Sequence, residues 1–381
     1  MQALVNADIF TGDSVLSDGA VVIDDGRIAT VCPRGTLDPR IESQDLGGGL
    51  VAPGFLDLQV NGGGGILFNA SPTVESLVRI GAAHRTFGTT GWLATVITDD
   101  VGVRRKAAAA VRDAMAAGVP GLLGIHFEGP HINPERRGVH DARHIAPLDA
   151  AALDLLTGTG IPHALVTLAP ERVPAAAVRR LAAAGLRVAA GHSAAGWEEA
   201  TAGFAAGITG VTHLYNAMSP LGSREPGLVG AALAEDGCWC GIIVDGHHVH
   251  DAAVRIAWKA KPPGRLFLVT DAMPPVGAPA PAAGFALYGE TIGVADGRCV
   301  TADGRLAGSA LDMATAVRNA VRRVGIPLEE ALRMASAHPA AFMGMDGTRG
   351  RIAPGMAADL VHLDAELTVR GSWIGGKYAS A

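Results

Sequence analysis

Eight short apolar runs, rich in β-branched residues, recur along the middle of this 381-residue chain and constrain its fold more than any other feature. They cover 50–60, 88–97, 122–129, 163–169, 187–192, 209–214, 239–245 and 265–271. Alanine- and leucine-rich stretches separate most of them, among them SPTVESLVRIGAAHRTFG, DDVGVRRKAAAAVRDAMAAG and PAAAVRRLAAAG. Strands buried on both faces and alternating with helices indicate a parallel sheet. Eight such units predict an α/β fold, a (β/α)8 barrel of TIM type. An open doubly wound sheet is the alternative, and the lack of a Gly-x-Gly-x-x-Gly closing the first unit weakens it.

The two ends of the chain read differently. ALVNADIF and GAVVIDDGRIATV, with turn signals at Gly12-Asp13 and Asp25-Gly26, look like short strands, and GRIAPGMAADLVHLDAELTVRGSWIGGKY from Gly350 onward matches them. The expected division is a small β-sandwich domain built from residues 1–50 plus 350–381, around a barrel of residues 51–349.

Composition narrows the partners. Hydrophobic residues make up 49% and charged residues 18%, as in a folded globular protein. The net charge of −6 and the lack of any Lys/Arg-rich run argue against nucleic acid or an anionic membrane. Charge or glycine breaks every apolar run before the membrane-spanning length of about 18 residues. The opening MQALVNADIF has no basic segment leading into an apolar one, so no secretory signal is expected. Of the four cysteines, Cys32, Cys238, Cys240 and Cys299, the Cys238-Trp239-Cys240 pair is a weak metal signal, and buried free thiols in a reducing cytoplasm are the expectation.

The polar residues gather where the runs end: GIHFEGPHINPERRGVH, VAAGHSAAG, VTHLYNAM, IIVDGHHVH and LFLVTDAMPP. In a barrel these ends open on one face, where catalytic residues converge. Glu128, His192 and His213 become neighbours there despite sequence separations of 64 and 21 residues. One carboxylate and two imidazoles form a ligand set for a catalytic divalent metal with a position left for water. Asp271, at the mouth of the last strand, is placed to take a proton from water whose pKa a metal lowers toward about 7, and to return it to a leaving nitrogen. His126 lies two residues along the strand from Glu128 and is expected behind the ligands rather than among them. His84, His163, His338 and His362 are read as structural.

Together these residues resemble the amidohydrolase superfamily and, within it, the N-acetylglucosamine-6-phosphate deacetylases. The matching pieces are PGFLDLQVNGGGG, HFEGPHINPERRGVH, AAGHS, THLYNAMSPLGSREPG, DGHHV, LVTDAM and LAGSAL, with ASAHPAAFMG and GRIAPGMAADLVHLD closing the match, from about residue 8 to 373. The resemblance implies that Glu128, His192 and His213 bind the metal, that Asp271 is general base and then acid, and that His248 polarises the acetyl carbonyl. It further implies that Asn216 and the backbone of Ala217 hold the sugar phosphate, and that Val139 and His140 meet sugar hydroxyls. Leu306, Ala307 and Gly308 would line the acetyl or sugar pocket. Arg224 would reach the phosphate in a neighbouring subunit, implying a homodimer. The metal implied is Zn2+, with Fe2+, Mn2+ or Co2+ tolerating the same set. His247 stands beside His248, and the DG-x-H pattern assigns the role to His248. His131 stands where an apolar residue is expected, within reach of the metal mouth or of the sugar.

Many relatives in that superfamily carry His-x-His on the first strand, where this chain has Gln59 and Asn61. Amides are poor ligands but good hydrogen-bond partners. The expectation is one metal per chain, with Gln59 and Asn61 bonding water or substrate oxygens.

Overall fold

The computed structural model describes residues 1–280 and 284–381. All eight runs contribute strands to one parallel sheet: Phe55–Val60, Thr89–Ile97, Leu122–Glu128, Ala164–Leu168, Arg187–Ala190, Gly210–Val211, Trp239–Ile242 and Leu266–Leu268. They neighbour one another in chain order. A helix follows each strand: Val74–Arg85, Val101–Ala116, Ala150–Thr157, Ala175–Ala183, Trp197–Ala206, Gly227–Ala234, Asp251–Ala260 and Met313–Asn319. Thr73, Asp100, Asp149 and Asp312 start four of these by accepting N–H bonds from the first turn. One core joins strand residues such as Phe55, Trp92 and Phe127 to helix residues such as Val111, Leu181 and Val254.

The seam between first and last strands is stitched by polar groups. Val60 bridges Ala272, whose carbonyl accepts from Asn61 N and Gly62 N, both at 3.0 Å. Behind it Asp57, fully buried, accepts from the Thr270 hydroxyl, from Thr270 N at 3.3 Å and from Gln59 N at 3.2 Å. Burial pushes the Asp57 carboxyl up to about 7, against the pull of those bonds.

Two features differ from the sequence reading. The run 50–60 is shared between two sheets. Leu50–Pro53 pairs with Gln2–Phe10 and with Leu360–Leu363, and the barrel strand begins only at Phe55. Gly54 makes the crossing, where a Cβ would lie 2.0 Å from Thr90 Oγ1. Both halves are buried, so hydrophobicity alone left no mark at the boundary. The sheet of the termini has eight strands, running from Lys377–Ser380 through Leu50–Pro53 to Arg27–Pro33. Apolar residues bury both its faces: Leu4, Ile9 and Val21 on one, Val5, Ala20 and Val22 on the other. The arrangement is sandwich-like.

The second difference is a four-stranded antiparallel sheet, Gly284–Leu287, Glu290–Ala295, Arg298–Val300 and Leu306–Ser309, set between the last barrel strand and its helix. These strands are short and partly exposed, so they lack the apolar pattern of the barrel strands. The sheet sits on the barrel mouth. Ser309 bridges Ala272, the Tyr288 hydroxyl donates to the Thr98 carbonyl, and Arg305 Nη1 donates to the Gly138 carbonyl at 3.0 Å. Among the described residues no helix is long and apolar enough to cross a membrane, and all four cysteines are free thiols.

Candidate active site

The strand ends open together on one face, and the backbone there is strained. His192, His213, Ala217 and Asp271 take φ of 49°, 35°, 51° and 55°, a region that residues with a Cβ enter reluctantly and that clusters at functional sites. They line a cavity of about 170 Å3 together with Glu128 and His248.

Three donor atoms converge at its floor. Glu128 Oε1 lies 3.0 Å from His192 Nε2 and 2.9 Å from His213 Nε2, and the two imidazole nitrogens are 3.1 Å apart. His192 Nδ1 lies 2.9 Å from the Arg136 carbonyl, which can only accept, so Nδ1 carries the proton and Nε2 of the neutral ring is a bare lone pair. Lone pairs facing one another in a buried site are relieved by a cation. Metal–ligand bonds of about 2.0–2.2 Å would put neighbouring tetrahedral ligands roughly 3.3–3.6 Å apart, a few tenths of an ångström beyond the separations found, so the donor set fits a divalent metal. Burial works to raise the Glu128 carboxyl, yet the His192 and His213 side chains set against it hold it well below its ordinary range.

His140 adds a further donor: Glu128, His140 and His192 offer ligand atoms within 4.8 Å of one another. Its Nδ1 is 2.7 Å from Thr98 Oγ1, and its ring centroid lies 4.3 Å from that of His192, the planes tilted by 46°. His213 Nε2, by contrast, lies within 3.1 Å of both other atoms of the triangle.

Gln59 and Asn61 reach across the cavity floor to two carboxylates. Gln59 Nε2 donates to Glu128 Oε1 at 3.0 Å and to Asp271 Oδ1 at 3.1 Å, and Asn61 Nδ2 donates to Asp271 Oδ1 at 2.6 Å. Both amide protons of Gln59 and one of Asn61 go to these two carboxylates. Asn61 Oδ1 is buried and has no partner among the described residues. Burial first and Glu128 second push the Asp271 carboxyl up to about 6.

His248 lines the cavity and His247 is exposed, which separates the adjacent pair. Asp245 Oδ2 lies 2.6 Å from His248 Nδ1. Sequence reasoning missed Asp245, although an Asp three residues before a functional His was the available signal. Val139, His140, Asn216, Leu306 and Gly308 also line the cavity. Ala307 does not: strand alternation turns it into the core of the small sheet. At Gly308, with φ +63°, a Cβ would lie 2.4 Å from Met273 Cγ.

His131 does not line the cavity. It is buried, its Nδ1 lies 2.9 Å from the Ala146 carbonyl, and burial lowers its pKa to about 4. His126 packs behind the ligands, with Nε2 2.7 Å from Thr167 Oγ1. His84, His338 and His362 bond backbone carbonyls of Gly62, Leu266 and Gly48. Arg224 is exposed outside the cavity, beside Trp197 and Glu225.

Residues 50–378 match the amidohydrolase family. The chain belongs to that family. Residues 1–51 match the NagA composite domain. Among amidohydrolases with curated functions, an N-acetylgalactosamine-6-phosphate deacetylase of Shewanella sp. (strain ANA-3) is 42% identical, covering 97% of this chain and 94% of that one. An N-acetylglucosamine-6-phosphate deacetylase of Haemophilus influenzae is 37% identical, covering 99% and 98%. The crystal structure of N-acetylglucosamine-6-phosphate deacetylase from Pasteurella multocida superposes with a TM-score of 0.96 at 35% identity, covering 100% of both chains.

Proposed function

We propose that this amidohydrolase removes the acetyl group from an N-acetylhexosamine 6-phosphate, with N-acetyl-D-glucosamine 6-phosphate giving D-glucosamine 6-phosphate and acetate. The observation that carries the reading is the buried triangle of Glu128 Oε1, His192 Nε2 and His213 Nε2 sharing one cavity with Asp271.

Glu128, His192 and His213 would hold one divalent metal, Zn2+ first and Fe2+, Mn2+ or Co2+ next, whose chemistry is to polarise the acetyl carbonyl and acidify water. Asp271 takes the proton of the attacking water and delivers it to the departing amine. A carboxyl held near 6 suits both transfers around neutral pH. Asn61 and Gln59 fix its Oδ1, so Oδ2 is the oxygen that moves the proton. His248 donates from Nε2 to the acyl oxygen as negative charge develops there. Val139, His140, Asn216, the Ala217 backbone, Leu306 and Gly308 surround the sugar phosphate. Arg224 serves the phosphate of a neighbouring subunit in a homodimer. Support for that contact face is the exposure of Trp197 (38%) and Leu221 (57%) around it. The setting is amino-sugar catabolism and cell-wall sugar recycling in the cytoplasm, with which four free thiols agree.

The galactosamine epimer is the second reading, favoured by the 42% identity to a deacetylase of that sugar. Acetate release by the metal-loaded protein, measured with both 6-phosphates and with unphosphorylated N-acetylglucosamine, tests both. No release from either phosphate, or equal kcat/KM with and without phosphate, would refute the proposal.

A further inference from the structure

The loop that carries His248 is built more tightly than metal binding requires. Asp245 and His248 side chains are each 6% exposed, with Oδ2 2.6 Å from Nδ1. The other Asp245 oxygen accepts the backbone N–H groups of His247 and His248, both at 2.8 Å. Turning the ring would therefore break a buried charge-assisted bond. The loop is also clamped from behind. Arg323 donates from Nη1 to the Asp245 carbonyl and from Nε to Asp251 Oδ2, both at 3.1 Å. Asn319 Nδ2 donates to the Val244 carbonyl at 2.8 Å. Arg323 projects from the wide π-type turn Ala320–Val324, a feature frequent at functional places. Its guanidinium lies over Gly246, where a Cβ would fall 1.9 Å from Nη2, at φ +78°.

We propose that Asp245 is a positioning residue for acyl activation: it keeps the proton on His248 Nδ1, turns Nε2 to the cavity, and is the counter-ion of the ring when Nε2 donates to the acyl oxygen. This rests on the reading of His248 given under Proposed function. A neutral imidazole with Nδ1 protonated offers only a lone pair at Nε2. Donation from Nε2 thus requires the doubly protonated ring, whose positive charge the Asp245 carboxylate faces at Nδ1. Burial tends to raise the Asp245 carboxyl, but the bond from His248 brings it down to about 2, so it stays charged.

Asp245→Asn tests the idea. Its amide oxygen can still accept the two backbone N–H groups, which turns the NH2 toward His248 Nδ1 and removes the counter-ion without emptying the site. Steady-state kinetics of metal-loaded D245N, H248N and the double variant should show a kcat for D245N lower by roughly 10- to 100-fold, with KM changed less than about threefold. In the H248N background D245N should cost less than about threefold, because the effect passes through the ring. An unchanged kcat in D245N, or the same fold-loss in both backgrounds, would overturn the proposal. Wild-type kcat in H248N would overturn the role of His248 and this proposal with it, whereas a wild-type protein that releases no acetate would overturn the proposed function. Should D245N fail to fold, Asp245→Ser, which can also accept a backbone N–H, carries the same expectations and the same refutations.

Discussion

Replacing Asp271 by Asn should move stability and turnover in opposite directions. The carboxylate accepts from Asn61 Nδ2 and Gln59 Nε2 through Oδ1 alone. An Asn can offer its carbonyl oxygen to both and lose only the charge. Burial, then the charge of Glu128, raises the carboxyl from 3.8 to about 6. At about 1.36 kcal/mol per pH unit, the ionised form costs the fold about 3 kcal/mol at pH 7. The sign follows from the folded state preferring the protonated acid. The contribution of this group to stability is fully present below about pH 4 and is lost as pH climbs through about 6. D271N should therefore stabilise chelator-treated protein by about 1–3 kcal/mol at about pH 8, the range allowing for relaxation of the site, and by almost nothing at about pH 4. Removal of the general base should meanwhile lower kcat of the metal-loaded protein by roughly 10²- to 10⁴-fold. Urea unfolding at the two pH values and an acetate-release assay measure both. An equal stability change at the two pH values, or turnover within about tenfold of wild type, would refute the reasoning.

Glu128→Gln takes the only charge out of the donor triangle, and elemental analysis should show metal content falling from about one per chain to a small fraction of that; two metals per wild-type chain would contradict a single site. Arg224→Ala should raise KM for the phosphorylated sugar by about tenfold or more, since a charge-assisted bond is worth about 1.5–3 kcal/mol, and leave the unphosphorylated sugar untouched; an unchanged KM removes Arg224 from the phosphate. Gly308→Ala puts a Cβ 2.4 Å from Met273 Cγ and 3.0 Å from the Asp271 carbonyl, so thermal or urea unfolding should show a loss of about 1–3 kcal/mol, with kcat falling too because Asp271 is displaced.

The barrel was legible because each of its strands is buried on both faces, which leaves an unbroken apolar run between helices of ordinary propensity. Glu128, His192, His213 and Asp271 were legible for a topological reason: parallel strands end on the same side, so residues at their ends meet whatever their separation. Other features depended on contacts that no local pattern encodes. Ala307 follows the alternation of a small sheet whose pairing partners lie at 298–300. His131 looked like a loop residue able to reach the mouth, but packing closes over it. Leu50–Pro53 and Phe55–Val60 form one apolar run in two different sheets, divided by a glycine that Thr90 makes necessary.

By itself, then, the chain determined the eight barrel strands with helices between them, the face on which the chemistry gathers and the residue types that carry it. These follow from periodicity and from short motifs, which survive without coordinates. Tertiary structure alone decided what the side chains do to one another. Gln59 and Asn61, whose amides resemble a degraded metal motif, turn out to tie Glu128 to Asp271 across the barrel seam. His248 rather than His247 faces the cavity, with Asp245 fixing its ring. Hydrogen bonds and orientation depend on distances of a few tenths of an ångström between residues as much as 212 positions apart, and only the closed barrel brings such residues together.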